Sequence, residues 1–205
     1  MFDEHESLGD VIYRSIKNSS RTPPDVREQH ELLRQRLDRA GVDLPLKKKV
    51  DARAAFRNGR AVGARDIWLL ADEIIFAPVG QPMTLIVDCP GQAATRHDES
   101  LVLSEYVAHL ALCLRSHCAD GGEIVVHLSG ESAGGIYVAL AAGADRVDAS
   151  PHASVRVLPA VAVNTVLRRT VADETIEEAL AAGVVDRIVP GRDAAGPERN
   201  SSRTQ

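Results

Sequence analysis

Residues 123–149 constrain the fold of this chain more than any other stretch. They read E-I-V-V-H-L-S-G-E-S-A-G-G-I-Y-V-A-L-A-A-G-A-D-R-V-D-A. A continuous β-branched run is typical of a strand buried in a parallel sheet, and a glycine commonly ends a helix. The pattern predicts a strand over residues 123–128, a turn over 129–132, a helix that two glycines open and Gly143 closes, and a second strand over 146–149.

The two glycines that open this helix, Gly134 and Gly135, are the first functional clue. The first amides of a helix lack intrahelical partners and carry the positive end of the helix dipole. Because glycine has no side chain, a ligand oxygen can approach that backbone closely. The glycine pair is therefore a candidate oxyanion hole. The alternative is that the pair only permits tight packing of the helix against the strand.

The segments on either side extend the same architecture. Residues 83–87 (M-T-L-I-V) predict a buried strand, and residues 99–118 predict a long helix that is apolar on most faces, including His109 on its polar strip. Residues 66–77 are apolar and fit either a helix or a strand. Further elements are expected after the glycine motif, namely a strand over 154–158, a helix over 161–169, a helix capped by Asp173 and ended by Gly183, and a strand over 184–189.

These elements predict an α/β domain over residues 66–190. Residues 1–65 are more polar and predict an N-terminal helical extension and linker, with a helix over 25–40 that docks on the main domain or on a partner subunit. Residues 191–205 are polar and rich in Gly, Pro, Ser and Arg, which predicts a disordered tail.

Composition excludes several classes of protein. The 205 residues carry a net charge of −5, which argues against a nucleic-acid surface. No apolar run approaches the length of a membrane span, and the acidic N-terminus does not resemble a signal peptide. The three cysteines form no C-x-x-C pair, and the seven histidines show no metal spacing. We expect a cytoplasmic protein with reduced thiols, no bound metal and no membrane or nucleic-acid partner.

Two motifs together carry a resemblance to a known family. The loop L-I-V-D-C-P-G-Q-A-A-T-R-H-D-E, then a long apolar helix and G-E-S-A-G-G-I-Y-V-A-L-A-A-G-A-D-R-V, resemble the gamma subunit of biotin-independent malonate decarboxylase. The resemblance covers about residues 82–189. It implies the Clp protease/crotonase-like fold of repeated β-β-α units, which carboxyltransferase subunits share.

The resemblance also implies an activity and partners. The gamma subunit acts with a beta subunit as a carboxy-lyase, decarboxylating a malonyl thioester on an acyl-carrier (delta) subunit to an acetyl thioester and CO2. An alpha subunit transfers the carrier between acetate and malonate. The carrier supplies a CoA-like prosthetic group, so no cofactor is expected to bind this chain directly. Two alternatives stay open, a crotonase-like or carboxyltransferase-like CoA-thioester enzyme and a non-catalytic structural subunit of the complex.

Decarboxylation of a malonyl thioester leaves an enolate, which preorganised amide donors stabilise. On this basis Gly134 and Gly135 are the expected catalytic backbone donors, and His97 is the candidate proton donor to the enolate. Gln92 and Arg96 are candidate substrate-binding residues for the carboxylate. Alternatively, Gln92 only holds the loop, and Arg96 caps the helix or forms an ion pair with Asp98 or Glu99.

Ser132 completes the substrate-binding candidates, although it is interpreted as a turn residue rather than a nucleophile. The Clp protease serine would fall at Gly134 and the protease histidine near Leu158, so a serine-nucleophile mechanism is not expected. Gamma subunits resemble the proteases in carrying serine and histidine near these two positions, and this chain departs from that pattern. His127, inside the predicted strand, is expected to be a hydrogen-bonded core residue.

Overall fold

The computed structural model describes residues 25–45, 51–93, 95–156 and 175–189. The predicted helix over 161–169, Asp173, Leu158 and the tail over 191–205 lie outside these ranges. In chain order the elements are α1 (Val26–Arg39), a 3₁₀ helix (Ala52–Arg57), α2 (Ala64–Ile75), β1 (Met83–Cys89), α3 (Arg96–Ser100), α4 (Leu103–Ala119), β2 (Ile124–Ala133), α5 (Gly134–Gly143), β3 (Arg146–Ala149), β4 (Ser154–Arg156), α6 (Ile176–Ala181) and β5 (Arg187–Ile188).

A parallel sheet forms the centre of the molecule. Its strands run in the order β1-β2-β3-β5, and β4 pairs with the end of β2. Helix α4 connects the parallel neighbours β1 and β2, as expected for a βαβ unit. The predicted α/β class is confirmed, and so are the strands expected over 83–87, 123–128 and 146–149. In the described ranges, no helix is both long and apolar enough to cross a bilayer.

Strand β2 is longer than the sequence pattern indicates. The turn predicted over residues 129–132 is wrong, because the strand continues through Ala133 and α5 begins at the next residue. The reason is a change of partner. β2 pairs with β3 as far as Leu128, and then residues 131–133 pair with β4. A second ladder therefore holds small polar residues in extended conformation.

The long helix predicted over residues 99–118 is interrupted. Helix α3 ends at Ser100 and α4 begins at Leu103, with Val102 between them at φ 59°. This left-handed residue leaves the Val102 side chain exposed while Leu101 and Leu103 on either side are buried. The ambiguous segment 66–77 lies mainly in helix α2, which buries Ile67, Trp68, Leu70 and Ile74.

Helix α1 confirms the predicted helix over 25–40 and docks on the main domain. The Asp25 side chain caps it by accepting from the amide of Arg27 at 2.8 Å. Leu33 and Leu37 are buried in the same hydrophobic cluster as the strands of the sheet. Tyr106 on α4 donates to the Leu33 carbonyl at 3.1 Å. The division of the chain at residue 65 stays a prediction.

Helix α6 is capped by a residue other than the one predicted. The Thr175 hydroxyl accepts from the Glu178 amide at 3.2 Å, and the Glu178 carboxylate accepts from the Thr175 amide at 2.7 Å. This reciprocal arrangement satisfies two amides at the helix start. The expected cap at Asp173 is therefore wrong, whereas Gly183 does follow the helix end with φ 69°.

Candidate functional site

The start of helix α5 and the loop after β1 meet at one edge of the sheet. The side-chain oxygen of Gln92 lies 3.4 Å from the amide of Ile136, a long and weak hydrogen bond. A Cβ atom on Gly134 would lie 3.0 Å from the same oxygen, and Gly134 has φ 66°. The positive φ favours glycine at position 134, and a side chain there would also push the Gln92 oxygen aside. The structure thus brings three predicted site residues together, Gln92 and the glycine pair.

Gly135 differs from Gly134 in the contacts that a side chain would make. A Cβ atom on Gly135 would lie 3.5 Å from Gln92 Nε2, an ordinary van der Waals distance, and its φ is not positive. The space between Gly135 and the Gln92 amide is therefore large enough for one extra atom. A ligand oxygen placed there would face the N-terminal end of a ten-residue helix.

Backbone contacts clamp the loop that carries Gln92. The Val62 amide donates to the Gly91 carbonyl at 3.1 Å, and the Ala93 amide donates to the Val62 carbonyl at 2.7 Å. Gly91 has φ 133°, and a Cβ atom there would lie 3.3 Å from the Ala133 carbonyl oxygen. The loop is thus held on one side by residue 62 and on the other by the end of β2, so Gln92 is presented on a fixed backbone.

Arg96 and His97 lie in the short helix α3, and both side chains are exposed. Among the described residues, the Arg96 guanidinium forms no ion pair, so the predicted pairing with Asp98 or Glu99 is wrong within those ranges. The Asp98 carboxylate instead accepts from the Ala64 amide at 2.8 Å and from the Thr95 hydroxyl at 2.5 Å. The substrate-binding role of Arg96 and the proton-donor role of His97 stay predictions.

Ser132 lies inside the sheet opposite Cys89 and has no solvent exposure. Its hydroxyl has no hydrogen-bond partner within the described part of the chain. The turn interpretation of Ser132 is wrong, because the residue belongs to β2, and its role in substrate binding stays a prediction. The expectation for His127 is confirmed, since it is buried and its Nε2 lies 3.1 Å from the Ser150 hydroxyl.

The cysteines do not provide a nucleophile. Cys89, Cys113 and Cys118 are free, and burial raises the pKa of each thiol, that of Cys118 to about 12. Reactive cysteines need a lowered pKa, because the thiolate is the nucleophile. None of the three cysteines therefore has the lowered pKa of a reactive thiol.

A buried polar cluster lies away from this edge, between helices α1, α2 and α4. His30 Nδ1 lies 3.0 Å from His109 Nε2, and His30 Nε2 lies 3.0 Å from the Asp72 carboxylate. His109 Nε2 also lies 3.3 Å from Cys113 Sγ. His109, which the sequence places on the narrow polar strip of helix α4, has an exposure of 0%. Within the described residues, no group of His, Cys, Asp and Glu has the geometry of a metal site.

This cluster predicts an acid-dependent loss of stability. Burial lowers the pKa of His109 to about 4, and the neighbouring His30 adds to the effect. An unfolded histidine titrates near 6.5, so the unfolded chain binds more protons between these values and stability falls as the pH falls below 6.5. We expect His109 to account for about 2 kcal/mol of the loss in unfolding free energy between pH 7 and pH 5.

Urea unfolding of wild type and His109→Leu across this pH range measures the effect. The variant leaves His30 Nδ1 unpaired and is expected to be less stable at pH 7 but to depend less on pH. His152→Leu, at an exposed histidine, is the control and is expected to keep the wild-type dependence of unfolding free energy on pH. If the unfolding free energies of wild type and His109→Leu depend equally on pH, His109 is not the group that titrates.

Comparison with known proteins bears on the family and the fold of the chain. The family model described as malonate decarboxylase gamma subunit matches residues 57–189. The MdcD–MdcE heterodimer of Pseudomonas malonate decarboxylase has a similar structure, with a TM-score of 0.57 and 22% identity over 63% of this chain and 58% of that chain. No curated protein sequence matches significantly.

Two further solved structures show how widely this fold occurs. Transcarboxylase 12S matches with a TM-score of 0.55 and 21% identity over 63% of this chain and 27% of that chain. An enoyl-CoA hydratase/isomerase family protein from Silicibacter pomeroyi matches with a TM-score of 0.51 and 20% identity over 63% of this chain and 67% of that chain. The predicted crotonase-like fold is confirmed. The match spans less than two thirds of the length of the first two of these three structures.

Proposed function

The chain belongs to the malonate decarboxylase gamma-subunit family, and on that premise we propose that it acts with a beta subunit to decarboxylate a malonyl thioester. The thioester is carried by an acyl-carrier subunit with a CoA-like arm, and the products are an acetyl thioester and CO2. The observation that supports this most directly is the Gln92 amide held against the glycine pair at the start of α5.

The chemistry required is stabilisation of an enolate. When CO2 leaves a malonyl thioester, the electron pair of the broken C–C bond moves onto the thioester oxygen. The amides at the start of α5, backed by the helix dipole, are donors for that oxygen. In the free chain the Gln92 oxygen lies beside the Ile136 amide, so a thioester oxygen bound in the space between Gly135 and the Gln92 side chain would replace Gln92 as the acceptor there.

The remaining candidates act on the carboxylate and on the proton. A displaced Gln92 can turn its Nε2 donors towards the malonyl carboxylate, and the exposed Arg96 guanidinium can pair with it bidentately. Since the carboxylate is lost as neutral CO2, pairing with Arg96 stabilises the bound substrate more than the transition state, so Arg96 serves binding. His97 protonates the enolate carbon, which completes the acetyl group.

The first test is assembly followed by turnover. The chain is co-purified with a candidate beta subunit, and CO2 release is measured with malonyl-CoA as the probe thioester. We expect turnover that requires both chains, with each chain alone as the control. Full turnover by the beta subunit alone would mean that this chain has only a structural role. Failure to form a complex, with activity on other CoA thioesters, would favour the crotonase-like alternative.

Kinetics of two variants test the proposed binding of the carboxylate in the assembled pair. Arg96→Ala is expected to raise KM about 10-fold with little change in kcat, and Gln92→Ala to raise KM as well, because both side chains bind the carboxylate that leaves as neutral CO2. Arg39→Ala, at an exposed residue of α1, is the matched control for loss of a surface arginine. If neither Gln92→Ala nor Arg96→Ala changes turnover, the active groups belong to the partner.

A further inference from the structure

The end of β2 contains a bulge opposite a single residue of β1. Val87 lies opposite Leu128, but Cys89 lies opposite Ser132. Residues 129–131 therefore all face Asp88. A bulge of this kind bends a strand and changes its direction, and bulges are common next to active sites. Here β2 leads directly into Gly134, so the bulge sets the direction in which α5 leaves the sheet.

The Asp88 side chain fills the gap that the bulge creates. Its Oδ1 accepts from the Glu131 amide at 3.1 Å. A Cβ atom on Gly130 would lie 2.3 Å from Asp88 Oδ1 and 2.4 Å from its Cγ, so the carboxyl group occupies the space that a side chain at residue 130 would need. Gly130 does not have a positive φ. Glycine is needed at this position for space rather than for backbone conformation.

Asp88 is also held from the opposite side. Its carbonyl oxygen accepts from the Gly59 amide at 2.9 Å. Within the described ranges its carboxylate forms no ion pair and accepts instead from the Glu131 amide. The side chain thus connects β1 to the bulged backbone of β2 through a hydrogen bond.

The two segments that form the candidate site, one carrying Gln92 and the other the glycine pair, both follow the part of the sheet that contains the bulge. Gln92 lies four positions after Asp88 along β1 and its loop, and Gly134 lies four positions after Gly130 along β2. We propose that Asp88 is a positioning residue. Its carboxyl group fits the space left free by the absent side chain of Gly130, and this fit sets the distance between the Gln92 amide and the glycine pair. The effect of Asp88 on catalysis rests on the proposed function. Its effect on the distance between Gln92 and the glycine pair does not.

A double-mutant cycle tests the match between Asp88 and Gly130. Gly130→Ala alone places a methyl group against the carboxyl and is expected to lower kcat at least 10-fold. Asp88→Ala alone removes the hydrogen bond from the Glu131 amide and is expected to lower kcat about 10-fold with a smaller change in KM. Because the two residues contact each other, the double variant is expected to be no worse than Asp88→Ala alone. Additive losses would overturn the proposal.

Two further variants sharpen the result. Asp88→Asn keeps the shape and the acceptor oxygen and is expected to retain most of the wild-type kcat. Thr84→Ala, at an exposed residue of the same strand, is the control and changes nothing. If Gly130→Ala does not fold, recovery of folding by adding Asp88→Ala supports the shape match, and failure to recover it overturns the match.

An NMR readout separates this proposal from the proposed function. Backbone amide signals of Gly134 and Gly135 and the Gln92 side-chain NH2 signals are recorded for the ¹⁵N-labelled chain. We expect these signals to shift in Asp88→Ala and Gly130→Ala, and to lie near the wild-type positions in Asp88→Asn. These shifts are expected whether or not the wild-type pair releases CO2. Unchanged signals and unchanged kinetics in Asp88→Ala would overturn the positioning role.

Discussion

Replacing Gly135 with valine is expected to lower CO2 release by the assembled pair by about 10² to 10³-fold, an effect as large as the loss of one oxyanion donor, because the side chain blocks access to the amides of α5. The first atom of a side chain at this position makes only ordinary contacts with the Gln92 amide, at 3.5 and 3.6 Å. The chain can therefore fold with the substitution. The added methyl groups then fill the space that the proposal assigns to the thioester oxygen.

Ala142→Val is the matched control, because it introduces a valine near the other end of the same helix. CO2 release is compared for both variants, and urea unfolding confirms that both chains are folded. Gly134→Ala is less informative, since φ 66° at this position makes an alanine strained and couples folding to activity. Wild-type turnover in Gly135→Val would show that the reacting carbonyl lies elsewhere.

Replacing Gly143 with valine is expected to lower the free energy of unfolding by about 3 kcal/mol or more. A Cβ atom on Gly143 would lie 2.5 Å from Leu114 Cβ and 2.7 Å from its Cδ1. Both residues are buried where α5 packs on α4. Since Gly143 does not have a positive φ, the effect comes from the collision rather than from backbone strain.

Urea unfolding of the isolated chain measures this prediction. Ala142→Val again serves as the control and is expected to cost less than about 1 kcal/mol, mostly through the lower helix propensity of valine. Leu114→Ala added to Gly143→Val is expected to recover part of the loss, because it removes the atoms that collide. Equal stability of the two valine variants would mean that α5 moves away from α4 at little cost.

The strands over 83–87, 123–128 and 146–149 were predictable because apolar runs identify buried strands without knowledge of the fold. The strand expected over 184–189 is wrong in its bounds, because only Arg187–Ile188 pairs with β3. The end of β2 was not predictable in this way. Residues 129–132 are small and polar, which is typical of turns, but a ladder with residues 154–156 keeps this stretch extended. The break at Val102 has the same kind of cause, because burial of Leu101 and Leu103 on either side decides it. Tertiary contacts overrode local preference at both places.

Part of the candidate site was also predictable from the residues. Gln92 and the glycine pair were expected at one site, and the structure places the Gln92 side chain beside both glycines and 3.4 Å from the Ile136 amide. The position of Asp88 over Gly130 depends on strand register, and spacing along the chain does not specify register at a bulge. The contact between His30 and His109 joins residues 79 positions apart. Only the spacing of His109 and Cys113, on one face of a helix, was a signal in the sequence.

The docking of α1 on α4 has a consequence for synthesis on the ribosome. His30 and its partner His109 are 79 residues apart, so at roughly 5–20 residues per second the partner helix emerges about 4–16 s later. During that interval Leu33 and Leu37 have no apolar surface from α4 to cover them. The nascent chain therefore presents a short hydrophobic segment for several seconds, which is long enough for a chaperone to bind it before the helix reaches its native site.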